Sequence, residues 1–480
     1  MAEMLKRQYE LLALKARLDT YSPREGVRAR FALEHGYHDG KQTLAEWTFP
    51  VSALGLPERL DRELTRTRGE AFVLPPPLVE DLRGHVAGGP ASPPLWLHLV
   101  KPYGHLALVP WERLLGAVLG VPILRLPDFI VPPPRETSRR FDVVLCGSMP
   151  ASKASFDLPS LLPAIVRRIL DSQTRSTRAH VFVDAELYGA VRGHMPIAGL
   201  NANGVPFEVK LHEPPDPQRF ESPERSSRIV DPGTRIENPW LLWMRDALAG
   251  ASVDVAHFVC HGYLSDDRGA LALSESPAEN RDRRMARFVG AGELGTFLTQ
   301  VGAWAVAFSS PHEDYSPLGS RLLADTVGQA RPVSVLYHEL PFDRDLAVLG
   351  EAYRFLFARE PQPPPASGAV FMYCQPYRVP GAAPRGLPPD ELEASNAARD
   401  TLGAVYEQEE NVPAWLAASQ RYIEQSKLEF GKAASSAMRP SEANSRSLGA
   451  TADTLRQIQD IVAEVALAQR SGGRGAGGGE

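Results

Sequence analysis

Residues 253–262, VDVAHFVCHG, are the stretch that decides the fold. Its mostly apolar run, bounded by polar residues, is typical of a strand buried on both faces of a sheet. The run ends at His261 and Gly262, which predicts an imidazole at the rim of the sheet and a backbone free to turn there. Ligands of open α/β sheets bind beyond the carboxyl ends of the strands. His261 is therefore either a functional residue or a buried histidine that ends a strand.

The segments around this strand alternate between strand and helix patterns. Strands are predicted at Phe141–Cys146, His180–Asp184, Phe207–Leu211, Val253–Cys260, Trp304–Ser309, Val333–Tyr337 and Ala369–Tyr373. Helices are predicted at Leu158–Leu170, Pro239–Ala249, Ala291–Val301, Leu318–Gly328 and Asp345–Phe357. This alternation predicts an α/β fold, with a mostly parallel sheet between two layers of helices.

Proline-rich breaks divide the 480-residue chain into four predicted regions. Residues 1–80 are expected to form a small β-rich module with a short helix at Leu56–Thr67, and residues 85–377 the α/β domain. Within the latter, a hairpin is predicted around Pro102–Gly104. Residues 390–470 are expected to form a C-terminal helical region, and the glycine-rich residues 471–480 are expected to form a disordered tail. The apolar faces of the C-terminal helices either pack within the protein or support self-association or partner binding.

Composition excludes several classes of function. The net charge is −6 and no stripe of Lys and Arg occurs, so nucleic acid is not an expected partner. Neither a signal peptide nor an apolar run of membrane-spanning length is present, which favours a cytoplasmic protein that does not enter a membrane. Cys146, Cys260 and Cys374 lie far apart, as reduced buried thiols do. No cofactor or metal is expected, since phosphate-binding glycine motifs are absent and His257 and His261 are too far apart on a strand to share an ion.

Three segments together resemble one family. HFVCHG (residues 257–262) is similar to the histidine strand of CHAT domains, which are caspase-like modules of bacteria. HLALVPWERLL (105–115) resembles their upstream element, and WAVAFSSPHEDYSPLGSRLLADTVGQARPVSVLYHELPFDRD (304–345) resembles their nucleophile strand, the next helix and the next strand. The order and spacing of the segments match, and the likeness covers roughly Leu95 to Tyr377. The resemblance implies a caspase-like sheet.

The family's peptidases use a histidine and a cysteine at the ends of adjacent strands. The thiolate attacks a peptide carbonyl, and the imidazole lowers the pKa of the thiol and protonates the leaving amine. His261 matches the histidine. The segment Phe308–Glu313 stands where the cysteine is expected, and it offers Pro311 or a neighbouring serine instead. The resemblance therefore predicts a pseudopeptidase: a non-catalytic binding, scaffolding or regulatory protein of a bacterial signalling or defence system, with a protein or peptide as its partner.

Two other functions remain open. An active caspase-like cysteine endopeptidase would need His261 paired with a relocated nucleophile, for which Cys146, at the end of a neighbouring strand, is the candidate. Cys260 is disfavoured because adjacent side chains of a strand point to opposite faces, and Ser310 is harder to activate than a thiol. An assembly protein that works through its C-terminal helices is the other function.

Polar residues after two of the predicted strands are candidates for a remnant of a peptide pocket. Solvated loops would carry the same residue types. The candidates are Ser309, Ser310, His312, Glu313, Glu339 and Asp343.

Overall fold

The structure of the protein is a computed structural model. It describes residues 11–19, 26–36, 42–56, 72–86, 88–89, 92–128, 140–150, 156–216, 235–265, 268–278, 286–311, 316–331, 333–358 and 360–380. The predicted C-terminal helical region and tail lie outside the described residues. So do nearly all of the predicted helix at Leu56–Thr67, and both His312 and Glu313.

Sixteen strands and eight α-helices make up the described chain. The strands are β1 (Leu12–Asp19), β2 (Arg28–His35), β3 (Gln42–Pro50), β4 (Leu95–Leu99), β5 (Ile123–Arg125), β6 (Phe141–Gly147), β7 (Thr177–Val183), β8 (Ala198–Leu200), β9 (Pro206–Leu211), β10 (Val255–Val259), β11 (His261–Ser265), β12 (Arg268–Ser274), β13 (Ala286–Val289), β14 (Ala305–Ser310), β15 (Ser334–Glu339) and β16 (Val370–Tyr373). The helices are α1 (Pro76–His85), α2 (Trp111–Leu119), α3 (Leu158–Ser172), α4 (Ala185–Arg192), α5 (Pro239–Ala247), α6 (Ala291–Gln300), α7 (Ser316–Ala330) and α8 (Ala347–Phe357).

Thirteen strands form one sheet in the order β3-β2-β1-β4-β5-β16-β15-β14-β10-β6-β7-β9-β8. Strands β15, β14, β10, β6, β7 and β9 are parallel to one another, and β1, β4, β5 and β16 form a second parallel block. The two blocks meet at the antiparallel pair β15–β16. The predicted α/β class, with a mostly parallel sheet flanked by helices, is confirmed.

Helices cover both faces of the central sheet because its strands are apolar on both sides. On β10, Val255 and Val259 join a core under α3 and α8, whereas Ala256 and Phe258 join a core under α5, α6 and α7. We call these the α3/α8 core and the α5/α6/α7 core. Side chains of a strand alternate between the two faces of the sheet. Each residue at a strand end therefore points towards one of these two cores.

The described strands of the first 80 residues, β1–β3, do not build a sheet of their own. Strand β1 pairs in parallel with β4, so β1–β3 continue the main sheet beyond the predicted boundary. The hairpin predicted around Pro102–Gly104 is wrong. Strand β4 ends at Leu99, and Gly104–Leu108 form a 3-10 turn that leads into α2. The apolar run through Leu106 and Leu108 is buried as a turn in the core rather than as a second strand.

A second, three-stranded antiparallel sheet, β11-β12-β13, follows directly after β10. It packs backbone to backbone on α7 at two glycines. A Cβ on Gly269 would lie 2.6 Å from the amide nitrogen of Leu323, and one on Gly319 would lie 2.5 Å from the carbonyl carbon of Tyr263. The small sheet is thereby fixed to α7. Among the helices that the structure describes, none is long and apolar enough to cross a membrane.

Candidate functional site

The order of the strands reverses direction between β6 and β10. From β6 the chain proceeds to β7 and β9 on one side, and then returns to add β10, β14 and β15 on the other side. Such a reversal opens a crevice at the carboxyl ends of the two strands, where ligands of open α/β sheets bind. His261 follows the last residue of β10, Val259, by two positions. The sequence-predicted histidine therefore lies at this reversal.

The His261 side chain is buried. Its ring meets the ring of Phe156 edge to face, with 5.3 Å between centroids, and Phe156 packs against the α3/α8 core. The His261 backbone begins β11, opposite Ala272 of β12. His261 thus lies just beyond the end of β10, where the chain passes from the main sheet into the small sheet.

Strand β14 is the neighbour of β10 on the side where the resemblance places the nucleophile. Val259 of β10 lies beside Ser309 of β14 in a parallel pair. Beyond this pair the two chains diverge: His261 enters β11, and Pro311, which is buried, follows the end of β14 at Ser310. Proline carries no side-chain donor or nucleophile, so the residue that follows β14 supplies no thiol.

The proposed relocated nucleophile, Cys146, lies in the other core. It is fully buried with Cys260 in the α5/α6/α7 core, whereas the His261 ring meets a residue of the α3/α8 core. Burial raises the pKa of Cys146 well above that of a free thiol, and the nearby Cys260 and Asp184 act in the same direction. Burial likewise raises the pKa of Cys260 and Cys374. Because the thiolate is the nucleophile, this geometry does not support a Cys146–His261 dyad.

Ser309 lies in a chain of buried side chains on the α3/α8 face. The Ser309 Oγ is 2.9 Å from Nε2 of His257 and 2.9 Å from Nδ1 of His338. Beyond the two rings, His257 Nδ1 is 2.8 Å from the Tyr353 hydroxyl, and His338 Nε2 is 3.2 Å from Oδ2 of Asp343. Five side chains from three strands, α8 and the turn before it are thus joined inside the core.

The donor and the acceptor of each hydrogen bond in this chain follow from the charge of Asp343. Burial acts to raise the pKa of Asp343, but hydrogen bonds from His338 and from the amides of Val348 and Leu349 lower it. An ionised Asp343 accepts from Nε2–H of His338, which leaves Nδ1 of that ring to accept from the Ser309 hydroxyl. Ser309 then accepts from Nε2–H of His257. Both hydrogen-bonding roles of the Ser309 hydroxyl are therefore used within the core.

The other two pocket candidates that the structure describes, Ser310 and Glu339, point to the opposite face. Ser310 hydrogen-bonds with the Tyr337 side chain on the α5/α6/α7 side. Glu339 is held by Arg321 and lies 3.6 Å from Arg113. The four described peptide-pocket candidates thus form two separate buried groups rather than one cluster. The reason is that Ser309 and Ser310 are successive residues of one strand.

Glu339 belongs to a buried ionic network that links α2, β5, α7 and β15. Arg321 bridges Glu339 to Glu112, at 3.3 Å from the latter. Glu112 is also 2.7 Å from Arg125, whose guanidinium is 3.0 Å from Asp325. Each carboxylate here has an arginine partner, so the network stabilises the junction between the two parallel blocks and does not present a charge for a ligand.

Sequence reasoning missed Tyr353, considered His257 only as a metal ligand, and considered His338 only as part of the stretch that ends with Glu339. The usable signal was a polar residue on the same face of three adjacent strands, namely His257, Ser309 and His338. Within the described ranges, no group of three or more His, Cys, Asp or Glu residues is arranged to hold a metal ion.

A second pair of buried histidines lies between β7 and the end of β9. Nδ1 of His180 is 3.0 Å from Nε2 of His212, and the His212 ring stacks on Phe182. Burial lowers the pKa of His180 to about 3, helped by His212 and nearby cations, and lowers that of His212 to about 4. Burial, together with His338, also lowers the pKa of His257 to about 3.

We expect these three histidines to make the protein unstable in acid. Their pKa values in the folded protein lie below the ordinary value of 6.5, so the unfolded chain binds more protons as the pH falls. The contribution of these neutral histidines to the free energy of unfolding is fully present above pH 6.5 and is lost as the pH falls towards 4. The loss is up to about 1.4 kcal/mol per pH unit for each histidine. Asp142 opposes the trend, since burial raises its pKa to about 6. Urea unfolding at pH 7.5, 6.0 and 5.0 measures the net effect.

The variant His212→Gln keeps a hydrogen-bonding side chain but does not titrate, so its stability should depend less on pH than that of the unmodified protein. Equal free energies of unfolding at pH 7.5 and 5.0 in the unmodified protein would contradict the expectation.

Comparisons with family models, with curated proteins and with solved structures found no match to this chain. The likeness to CHAT domains therefore rests on the three segments quoted above.

Proposed function

We propose that the protein is a CHAT-like pseudopeptidase, which binds a protein or peptide at the carboxyl edge of its sheet without cutting it. The observation that carries the proposal is that a proline, Pro311, and not a cysteine follows the end of β14, the strand beside β10. A histidine retained at the strand reversal, with proline in place of a nucleophile, fits a site that has lost catalysis. The setting in bacterial signalling or defence is what the family resemblance implies.

The surroundings of His261 supply contacts suited to a peptide. Tyr263 lies two residues further along β11, and its ring stacks on Phe288 of β13 with 4.0 Å between centroids. Both aromatic residues are half-buried, so part of each ring is accessible. Aromatic side chains give large contact areas at binding surfaces. We propose that this pair, beside His261, contacts apolar side chains of the partner.

The chemistry of the thiols favours a reducing compartment. All three cysteines are buried as free thiols, which is consistent with the cytoplasm. The proposed activity needs no metal, cofactor or nucleic acid, because peptide recognition uses the side chains and backbone of the site alone.

The first test is for peptide-bond cleavage. We expect no new fragments when the protein is incubated with a mixed peptide pool and analysed by mass spectrometry. We also expect no labelling by thiol-reactive peptide probes, because no accessible thiolate lies beside His261. The variant His261→Ala is the control and should give the same result. Cleavage or labelling that disappears in His261→Ala would overturn the proposal and establish a cysteine peptidase.

The second test is for binding. Peptides captured from a displayed library should bind several-fold less tightly to Tyr263→Ala than to the unmodified protein. Val73→Ala truncates an exposed apolar side chain that precedes α1, away from the carboxyl edge, and should leave the affinity unchanged. Equal loss in both variants would mean that capture is non-specific and that the carboxyl edge is not the binding surface.

A further inference from the structure

The main sheet ends at β8, a short strand with an open outer side. On its inner side, the Val209 amide donates to the Ile197 carbonyl at 2.7 Å, and the Asn201 amide donates to the Val205 carbonyl at 2.9 Å. Backbone groups of an edge strand alternate in direction, so Ala198 and Leu200 direct their N–H and C=O groups outward. In the part of the chain that the structure describes, no strand pairs with this side.

Apolar side chains accompany the open edge. Ile197 is 79% exposed and Leu200 is 69% exposed, the two highest values among the large hydrophobic side chains described as exposed. No Asp, Glu, Lys or Arg occurs from Gly193 to Phe207. Open edges are templates for pairing with another chain, and charges, prolines or a very short strand limit that pairing. Strand β8 has three residues, so shortness limits its pairing, but no charge does. Pro196 limits the open edge only at the N-terminal end of β8.

The opposite edge of the same sheet is protected. Strand β3 carries Glu46, which is paired with Arg30 of β2 at 2.7 Å, and both side chains are solvent-accessible. Charge on an edge strand disfavours the approach of another strand. The two edges of one sheet thus differ, and only β8 has the composition of a pairing surface.

We propose that β8 pairs antiparallel with the β8 strand of a second copy, with the two-fold axis at Gly199. In this register Ala198 of one copy lies opposite Leu200 of the other, and the two Gly199 residues face each other. An interface of this symmetry uses the same patch on both copies and must be self-complementary. Strand β8 meets that condition because it contains no charge that would face its own copy. The proposal is independent of peptide binding at His261.

The pairing is expected to be reversible. Three residues provide few backbone hydrogen bonds, and the buried area is small compared with that of stable interfaces. The dimer should therefore form with increasing concentration rather than persist at high dilution. Sedimentation velocity of the full chain between low and high micromolar concentrations measures this equilibrium.

The variant Leu200→Lys places like charges on the paired edges. It is expected to raise the dimer dissociation constant at least tenfold, whereas Phe342→Lys, which adds the same charge at another exposed apolar residue, should not change it. A protein that remains monomeric at all concentrations would overturn the proposal. So would a dimer with the same dissociation constant in Leu200→Lys, which would place self-association elsewhere, such as the C-terminal region.

A cysteine at the proposed axis tests the register. Residues directly opposite in a non-hydrogen-bonded antiparallel pair have Cα atoms about 4.5 Å apart, within the range of a disulfide. A Cβ at Gly199 would make only close van der Waals contact with the Phe207 ring, at 3.4 Å, so Gly199→Cys should fold. Mild oxidation should crosslink it into a dimer, while Val73→Cys, also exposed, should not crosslink. The native thiols are buried and do not interfere. Failure of Gly199→Cys to crosslink where sedimentation shows a dimer would overturn this register.

Discussion

Replacing Arg125 by methionine is expected to lower the free energy of unfolding by about 3–5 kcal/mol. Arg125 has no exposed surface and neutralises Glu112 and Asp325 from two sides. Methionine fills a similar volume, but it leaves two carboxylates buried with fewer partners. Of the other cations, Arg321 contacts Glu112 and Glu339 and Arg113 contacts Glu339, so neither takes the place of Arg125 beside Asp325. Unfolding in guanidinium chloride, followed by circular dichroism, measures the loss.

The matched control is Arg178→Met. Arg178 pairs with Glu208 at 3.1 Å, but the glutamate side chain is largely exposed. Exposed ion pairs contribute about 0–1 kcal/mol, so this variant should be nearly as stable as the unmodified protein. Similar losses in the two variants would show that burial of the network does not determine its contribution.

Replacing Gly319 by alanine is the second change with a large expected effect, a loss of about 3 kcal/mol through overpacking. The added methyl would lie 2.5 Å from backbone atoms of Tyr263. Those atoms belong to β11 and cannot rotate away as a side chain would. We therefore expect α7 and the small sheet to separate, and His261 and Tyr263 to lose their positions. Thermal unfolding measures the stability, and peptide binding should weaken in the same variant.

Two other helical glycines provide the control. Gly116 in α2 and Gly189 in α4 have nothing within 4 Å of where a Cβ would lie. Alanine is favoured over glycine in a helix by roughly 0.5–1 kcal/mol, so Gly116→Ala and Gly189→Ala should raise the free energy of unfolding. Destabilisation in all three variants would mean that the close approach at Gly319 is not the cause.

The central elements of the fold were predictable from the sequence. The predicted strand Val253–Cys260 contains β10, and the predicted helix Leu158–Leu170 lies within α3. Buried strands and amphipathic helices each have a characteristic spacing of apolar residues. This spacing can be recognised in the sequence without knowing what the element packs against. Shorter elements gave no such signal, and α4, β8 and the small sheet β11–β13 were not predicted.

The sequence by itself determined the α/β class, the alternating helices and strands, and a histidine at the end of a central strand. The tertiary structure alone decided what each polar side chain meets. Ser309 contacts His257 and His338, which are 52 and 29 residues away, and Cys146 faces the core opposite the one that the His261 ring meets. Such contacts depend on strand order and register. Both are set by chain crossovers between distant segments, and local periodicity does not encode them.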